Sequence, residues 1–277
     1  MRRNVTIDVP EAAPEGTILI APKPVAAWDQ RFVGFDAGAA AVAEIPSTNS
    51  PQTAYALTPG DGPVSLSYAF EVAPGQPAAG DIWQGPRSAL TRADPGLAAL
   101  SAELCAQTGT TGERLDALVR HAAEMFDYDH PDERFNTGLD AVPTLCGTTR
   151  GSCVDINTFV LAGALSQGIT GQYMAGYWFG PGRNSTPDMH CWLAFDDGDA
   201  PLFWDIAHHL KWGVDPLAPG LNPAGGRRVA MTAGRGLGFD TVNGPVTISH
   251  FSEPLWVLPD GGTKEPEIRI SLEETSQ

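Results

Sequence analysis

Short apolar runs separated by turn-forming residues dominate the first quarter of the chain. Between Asn4 and about Ala73 these runs are VTIDV, TILIA, RFVGF, AVAEI and VSLSYAFEV, and Pro, Gly, Asp and Asn lie between them. Runs of this length, rich in β-branched and aromatic residues, are typical of β-strands. The pattern predicts an antiparallel β-sandwich in the N-terminal part, followed by a linker rich in Pro and Gly over residues 73–88.

The pattern changes to a helical period after the linker. Residues 95–107 and 111–126 are each predicted to form a helix, and the second has Leu115, Leu118 and Val119 at helical spacing. A long polar loop over residues 127–150 follows, and loops of this kind often shape the entrance of an active site. Toward the C-terminus the runs RRVAMTA, TVNGPVTISHF and PLWVL predict further strands that complete a sheet.

The segment GSCVDINTFVLAGAL predicts a helix that begins at a cysteine. Ser152 suits the N-cap position, and Asp155 three residues later can bind the Ser152 amide as in a capping box. Cys153 then occupies the first helical position, where the helix dipole and the amide groups favour an anion. Cys153 is therefore the best candidate for a nucleophile, and its backbone N–H is expected to contribute to an oxyanion hole.

Two further segments supply a base and a carboxylate. In DMHCWLAF, His190 alternates with Cys191 in a pattern that predicts a strand, so His190 points to one face of a sheet. The turn DDGDAP leads to the run LFWD, which predicts an antiparallel neighbour strand and sets Asp205 beside His190. A thiol that attacks a carbonyl needs a base and gains from a carboxylate that orients the base, so the three residues suit a catalytic triad.

These motifs resemble the transglutaminase-like superfamily of cysteine enzymes, including bacterial cysteine proteases of that type. The resemblance is close from about Leu115 to Leu210 and weaker on either side. The matching positions are Gly151, Cys153, Asp155, Gly168, Ile169, Tyr173, Gly176, Tyr177, His190, Trp192, Trp204 and Asp205. In one respect the chain departs from the family, because Asp205 is followed by IAHHL where members commonly have Pro-Thr or a similar turn.

The resemblance implies a papain-like active site with Cys153 as nucleophile, His190 as general base and acid, and Asp205 as the orienting group. The fold class expected is α+β, with an N-terminal β-sandwich over residues 1–80 and a transglutaminase-like catalytic domain over residues 95–277. In that domain the helix that carries the cysteine packs on an antiparallel sheet.

The expected activity is hydrolysis of a peptide or protein amide through a thioester intermediate. Two alternatives stay open from the sequence. One is an amine-transferring, protein-crosslinking transglutaminase, which forms the same thioester. The other is a catalytically silent module that uses the same cleft to bind peptides, although an intact set of Cys, His and Asp argues against silence.

The remaining cysteines have simpler interpretations. Cys105 and Cys191 are expected to be small core residues, since a lone cysteine usually packs as an apolar group. Cys146 lies seven residues before Cys153 in a short loop. It is expected to anchor that loop, and the alternative is that it forms a disulfide with an oxidised Cys153.

No cofactor and no metal are expected. Asp205, His208 and His209 form one group of possible ligands, and His130, Asp132 and Glu133 form another. Neither has the spacing of a known zinc motif, and adjacent histidines diverge, so structural or solvent-exposed roles are expected for them.

Charge and composition narrow the partners. The formal net charge is −16, which disfavours binding to nucleic acid or to an anionic membrane surface. The first residues contain no continuous apolar stretch typical of a signal peptide, and four cysteines fit a reducing compartment, so a cytoplasmic location is expected. The sequence leaves the oligomeric state open.

Overall fold

A computed structural model of the chain describes residues 1–60, 62–72, 74–75, 80–198 and 200–275. Residues 73 and 76–79 of the predicted linker lie outside this range, as does residue 199 of the predicted turn before Asp205. Among the described residues, none of the helices combines the length and apolar character that a membrane crossing requires.

The described residues form four helices and a larger number of strands. The helices are α1 (Pro95–Cys105), α2 (Thr111–Met125), α3 (Cys153–Ser166) and α4 (Ile206–Trp212). The strands are β1 (Arg2–Val9), β2 (Ile18–Pro22), β3 (Gln30–Asp36), β4 (Ala41–Pro46), β5 (Thr53–Thr58), β6 (Val64–Val72), β7 (Phe126–Tyr128), β8 (Thr149–Gly151), β9 (Gly171–Phe179), β10 (Ser185–Thr186), β11 (His190–Asp196), β12 (Pro201–Trp204), β13 (Arg227–Ala233), β14 (Leu237–Thr241), β15 (Gly244–Ile248), β16 (Leu255–Val257), β17 (Thr263–Lys264) and β18 (Arg269–Thr275). The mixture of helices and antiparallel sheets confirms the predicted fold class.

The chain divides into two compact units that are discontinuous in sequence. Unit 1 contains residues 1–85, 175–190 and 226–277, and unit 2 contains residues 86–174 and 191–225. The sequence suggested two contiguous ranges instead, 1–80 and 95–277. The difference arises in unit 1, because strands from the end of the chain pair with strands from its beginning.

Unit 1 contains the predicted β-sandwich. One five-stranded sheet has the order β10-β18-β1-β6-β3, and the other has the order β17-β16-β2-β5-β4. Buried residues of both sheets share one core, for example Ile7 of β1, Leu57 of β5 and Leu272 of β18. The C-terminal strand β18 pairs with β1 from Arg2↔Thr275 to Asp8↔Arg269, so the end of the chain completes a sheet that the N-terminal strands begin.

Unit 2 contains the four helices and a small sheet. Helices α1 and α2 follow the predicted pattern and end one or two residues earlier than expected. Helix α3 is buried along its whole length except for its last two residues. Strands β12, β11 and the first part of β9 are neighbours in that order, and β11 pairs with β12 in antiparallel fashion. The predicted loop over residues 127–150 consists largely of turns and bends between β7 and β8, which pair in parallel.

Glycine is required immediately before α3. A Cβ atom added to Gly151 would lie 2.8 Å from Cδ1 of Phe126 and 2.9 Å from Cβ of Asp155. Real Cβ atoms essentially never approach other atoms so closely, and Phe126 is buried and flanked by other rings. The turn that leads into α3 therefore depends on the missing side chain.

We predict that Gly151→Ala destabilises the protein by about 1–3 kcal/mol, the usual cost of forcing an extra carbon into a packed site. Gly147→Ala is the matched control, because an added Cβ at Gly147 meets no atom within 4 Å. Equilibrium unfolding in urea measures both variants. Equal stability of the two variants would show that the turn has room for a side chain.

A second prediction concerns Glu253 of unit 1. Burial, with smaller contributions from Asp188 and Glu265, raises the pKa of Glu253 to about 7. The folded state then binds more protons than the unfolded state between the ordinary glutamate pKa of 4.5 and about pH 7. The contribution of Glu253 to stability therefore falls as the pH rises through this window.

Glu253→Gln removes this titration. We expect the variant to gain stability relative to the wild type as the pH rises from 4.5 to 7, with a constant difference above that range. Urea unfolding of both proteins across this pH range measures the difference, and other titrating groups cancel. A difference that does not change with pH would contradict the raised pKa.

Candidate active site

The start of α3 is fixed by a network of buried hydrogen bonds. The Asp155 carboxylate atom Oδ2 accepts from the Ser152 amide at 2.9 Å and from the Ser152 hydroxyl at 2.9 Å. The Ser152 hydroxyl oxygen in turn accepts from the Val154 amide at 3.2 Å. This confirms the predicted capping box, with Cys153 at the first helical position, and it accounts for Asp155 as a capping residue.

Arg134 completes this network, which sequence reasoning did not anticipate. Its Nη1 atom donates to Asp155 Oδ2 at 2.9 Å and to the Ser152 hydroxyl at 3.0 Å. The Asp155 side chain is fully buried, whereas that of Arg134 is 35% exposed. Arg134 belongs to the segment between β7 and β8. This polar segment therefore stabilises the negative charge of Asp155 in the first turn of α3. Nothing in the local sequence pairs an arginine with a carboxylate 21 residues later.

One hydrogen-bonded contact ties α3 to strand β11. The side-chain amide of Asn157 donates to the Cys191 carbonyl at 3.1 Å and lies 3.3 Å from the Cys191 sulfur. Asn157 is fully buried and lies one helical turn after Cys153. Cys191 is the residue after His190. The contact therefore links the helix that begins with the cysteine to the strand that begins with the histidine.

His190 and Asp205 lie on paired strands or directly after them. His190 is the first residue of β11, and Asp205 follows the last residue of β12. Leu193 pairs with Trp204, and this register, continued by one residue, sets Trp192 opposite Asp205. Residues directly opposite on paired strands share a face, and His190 lies two residues before Trp192 on that face. His190 and Asp205 are both buried, with 6% and 0% exposure.

Asp205 also binds a second imidazole. His208 Nδ1 lies 2.8 Å from Asp205 Oδ2, and the His208 amide donates to Asp205 Oδ1 at 3.3 Å. One nitrogen or oxygen atom from each of His190, Asp205 and His208 lies within 4.8 Å of the others. Among the described residues, the side chains of His190, Asp205 and His208 could also bind a divalent ion. Asp205 and His208, however, already bind each other.

His208 and His209 are both buried, with 2% and 6% exposure, so the solvent-exposed role allowed by the sequence is wrong and the structural role remains. The two imidazoles diverge as expected. His209 Nδ1 lies 2.8 Å from the carbonyl oxygen of Val214, the second residue after the end of α4. His208 alone of this pair bonds Asp205 through its ring.

The other cysteines have different surroundings from Cys153. Cys105 and Cys191 are buried, which confirms the predicted core positions, and burial raises the pKa of Cys105. Cys146 is exposed and Cys153 is buried, and none of these four described cysteines forms a disulfide. Within the described chain, Cys153 is the cysteine that begins a helix.

Part of the chain is similar to a known family of proteins. Residues 98–203 match the sequence model of the transglutaminase-like superfamily. This range includes Cys153 and His190, and Asp205 lies just beyond it. A search among curated proteins found no match.

Solved structures with a related fold include a candidate cysteine protease from Cytophaga hutchinsonii. It shares 14% sequence identity and a TM-score of 0.59, and the alignment covers 100% of this chain and 92% of that chain. The periplasmic domain of TgpA from Pseudomonas aeruginosa, bound to ethylmercury, has 16% identity, a TM-score of 0.39 and coverage of 74% and 92%. A candidate protease from Parabacteroides distasonis has 12% identity, a TM-score of 0.25 and coverage of 95% and 44%.

The first of these structures supports the fold, and the family match supports the likeness over residues 98–203. Together they confirm the resemblance that the motifs around Cys153 and His190 suggested. Over residues 98–203 the chain is similar to the transglutaminase-like superfamily.

Proposed function

We propose that the protein is a thiol-dependent hydrolase of peptide or protein amides. In this proposal Cys153 is the nucleophile, His190 is the general base and acid, and Asp205 orients His190. The family match supports a thiol enzyme in general. The observation that carries the finer assignment is the contact of Asn157 with Cys191, because it joins the helix of the nucleophile to the strand of the base.

The position of Cys153 favours its thiolate form. The first turn of α3 directs the positive end of the helix dipole and its amide groups toward the cysteine. The capping network keeps this end of the helix ordered, and a thiolate is a much better nucleophile than a thiol. Cys153 is only 5% exposed, so these interactions act in surroundings poor in water.

Each of the two proposed reactive residues lies a short distance along the backbone from the Asn157–Cys191 contact. Asn157 is one helical turn, about 5–6 Å, from Cys153. Cys191 is one residue, about 3.4 Å, from His190. The contact between Asn157 and Cys191 brings the backbone of α3 close to that of β11, and this supports the proposed pairing of Cys153 with His190. Asp205 is also close to His190, since a carboxylate oxygen of Asp205 lies within 4.8 Å of a ring nitrogen of His190.

The reaction follows from these roles. His190 takes the Cys153 proton as the sulfur attacks the amide carbonyl, and the carbonyl oxygen becomes an oxyanion beside the Cys153 backbone N–H. When the C–N bond breaks, His190 gives the proton to the leaving amine and a thioester remains. His190 then removes a proton from water, which attacks the thioester. The C–S bond then breaks, the carboxylic acid leaves, and His190 returns the proton to the Cys153 sulfur.

This function predicts that Cys153→Ala abolishes both hydrolysis of unfolded casein and acylation by p-nitrophenyl acetate. Asp205→Asn should keep residual acylation but slow it by about two to four orders of magnitude, because an amide neither selects the same imidazole tautomer nor stabilises the imidazolium. Intact-mass spectrometry detects the acyl-enzyme, and peptide mapping locates it.

Cys146→Ala is the matched control, since it makes the same chemical change at an exposed thiol seven residues earlier. It should retain full activity. Circular dichroism must show that each variant is folded. Acylation or casein hydrolysis that persists in folded Cys153→Ala would refute the assignment of the nucleophile.

A further inference from the structure

Asp205 needs strong partners because its side chain is completely buried. A carboxylate removed from water costs several kcal/mol unless hydrogen bonds compensate the charge. His208 supplies one bond to each carboxylate oxygen. Its Nδ1 atom lies 2.8 Å from Oδ2 and its amide nitrogen lies 3.3 Å from Oδ1.

This arrangement is specific to the sequence after Asp205. The segment IAHHL directly after Asp205 forms the first part of the short helix α4. Asp205 is the N-cap of α4, and His208 lies three residues later, so its side chain returns to the cap residue. The imidazole is 3% exposed, which shields the hydrogen bond from water.

We propose that His208 is a positioning residue that fixes the Asp205 carboxylate in the orientation that faces His190. Two bonds from one residue restrict both translation and rotation of the carboxylate. Asp205 then presents a fixed acceptor to His190, which selects one imidazole tautomer. This inference rests on the proposed function in so far as the oriented His190 serves the thiol of Cys153.

The test compares substitutions at two adjacent buried histidines. His208→Leu removes the ring donor, and His208→Asn restores a donor near the position of Nδ1. His209→Leu is the matched control, because His209 bonds the Val214 carbonyl and not Asp205. Two readouts are measured on folded protein: the acylation rate with p-nitrophenyl acetate, and the tautomer of His190 from ¹⁵N chemical shifts of labelled imidazoles.

We expect His208→Leu to slow acylation by about 10- to 100-fold and to give His190 a mixture of tautomers, as for other residues that orient a catalytic group. His208→Asn should restore most of the rate and a single tautomer, and His209→Leu should change neither readout. If His208→Leu does not fold, His208→Gln replaces it, since the Gln amide lies one bond farther out.

The outcomes separate this inference from the proposed function. If the wild type shows no acylation that depends on Cys153, but His208→Leu alters the His190 tautomer, the positioning role stands and the hydrolase fails. If the wild type acylates and folded His208→Leu or His208→Gln keeps its rate and its His190 tautomer, the positioning role is overturned and the hydrolase stands.

Discussion

The hydrogen-bonded, buried carboxylate of Asp155 is the feature on which the geometry of the proposed active site depends. It accepts hydrogen bonds from the Ser152 amide, the Ser152 hydroxyl and the Arg134 guanidinium, and its side chain has no exposed surface. Removing one partner would leave a buried charge poorly compensated, at a cost of several kcal/mol. Because this network surrounds the first turn of α3, it determines where the helix begins and therefore where Cys153 lies. The tight packing at Gly151 adds a steric limit on the same turn.

A second buried carboxylate, that of Asp205, lies close to the proposed base His190. The two carboxylates have different tasks. Asp155 serves the cap of α3 and supports the proposed nucleophile, whereas Asp205 caps α4 and lies in one group with two imidazoles. The Asn157–Cys191 contact links α3 to the strand that begins at His190. Local capping thus fixes the start of each helix, and the buried Asn157 amide group links α3 to β11.

The sequence predicted those features that short-range chemistry controls. The capping box of α3, the strand at His190 and the residues of α1 and α2 follow from neighbours within one or two helical turns. Partners distant in sequence could not be predicted in this way, so Arg134 and Asn157 were missed, as was the bond of His208 to Asp205. Strand β5, TAYALT, and strand β14, LGFDT, contain neither valine nor isoleucine and were not predicted as strands, and tertiary pairing forms them. The pairing of β18 with β1 likewise joins the two ends of the chain, and no local pattern predicts this pairing.

The central claim is that the helix start and His190 activate a buried thiol, and the relative reactivity of the four cysteines tests it most directly. At about pH 6 an ordinary thiol is almost wholly protonated and reacts slowly with iodoacetamide. Brief labelling of the folded protein followed by peptide mapping gives the rate for each site. We predict that Cys153 reacts fastest although it is buried and Cys146 is exposed, and that His190→Ala removes this advantage. Faster labelling of Cys146, or a Cys153 rate that His190→Ala leaves unchanged, would contradict the account.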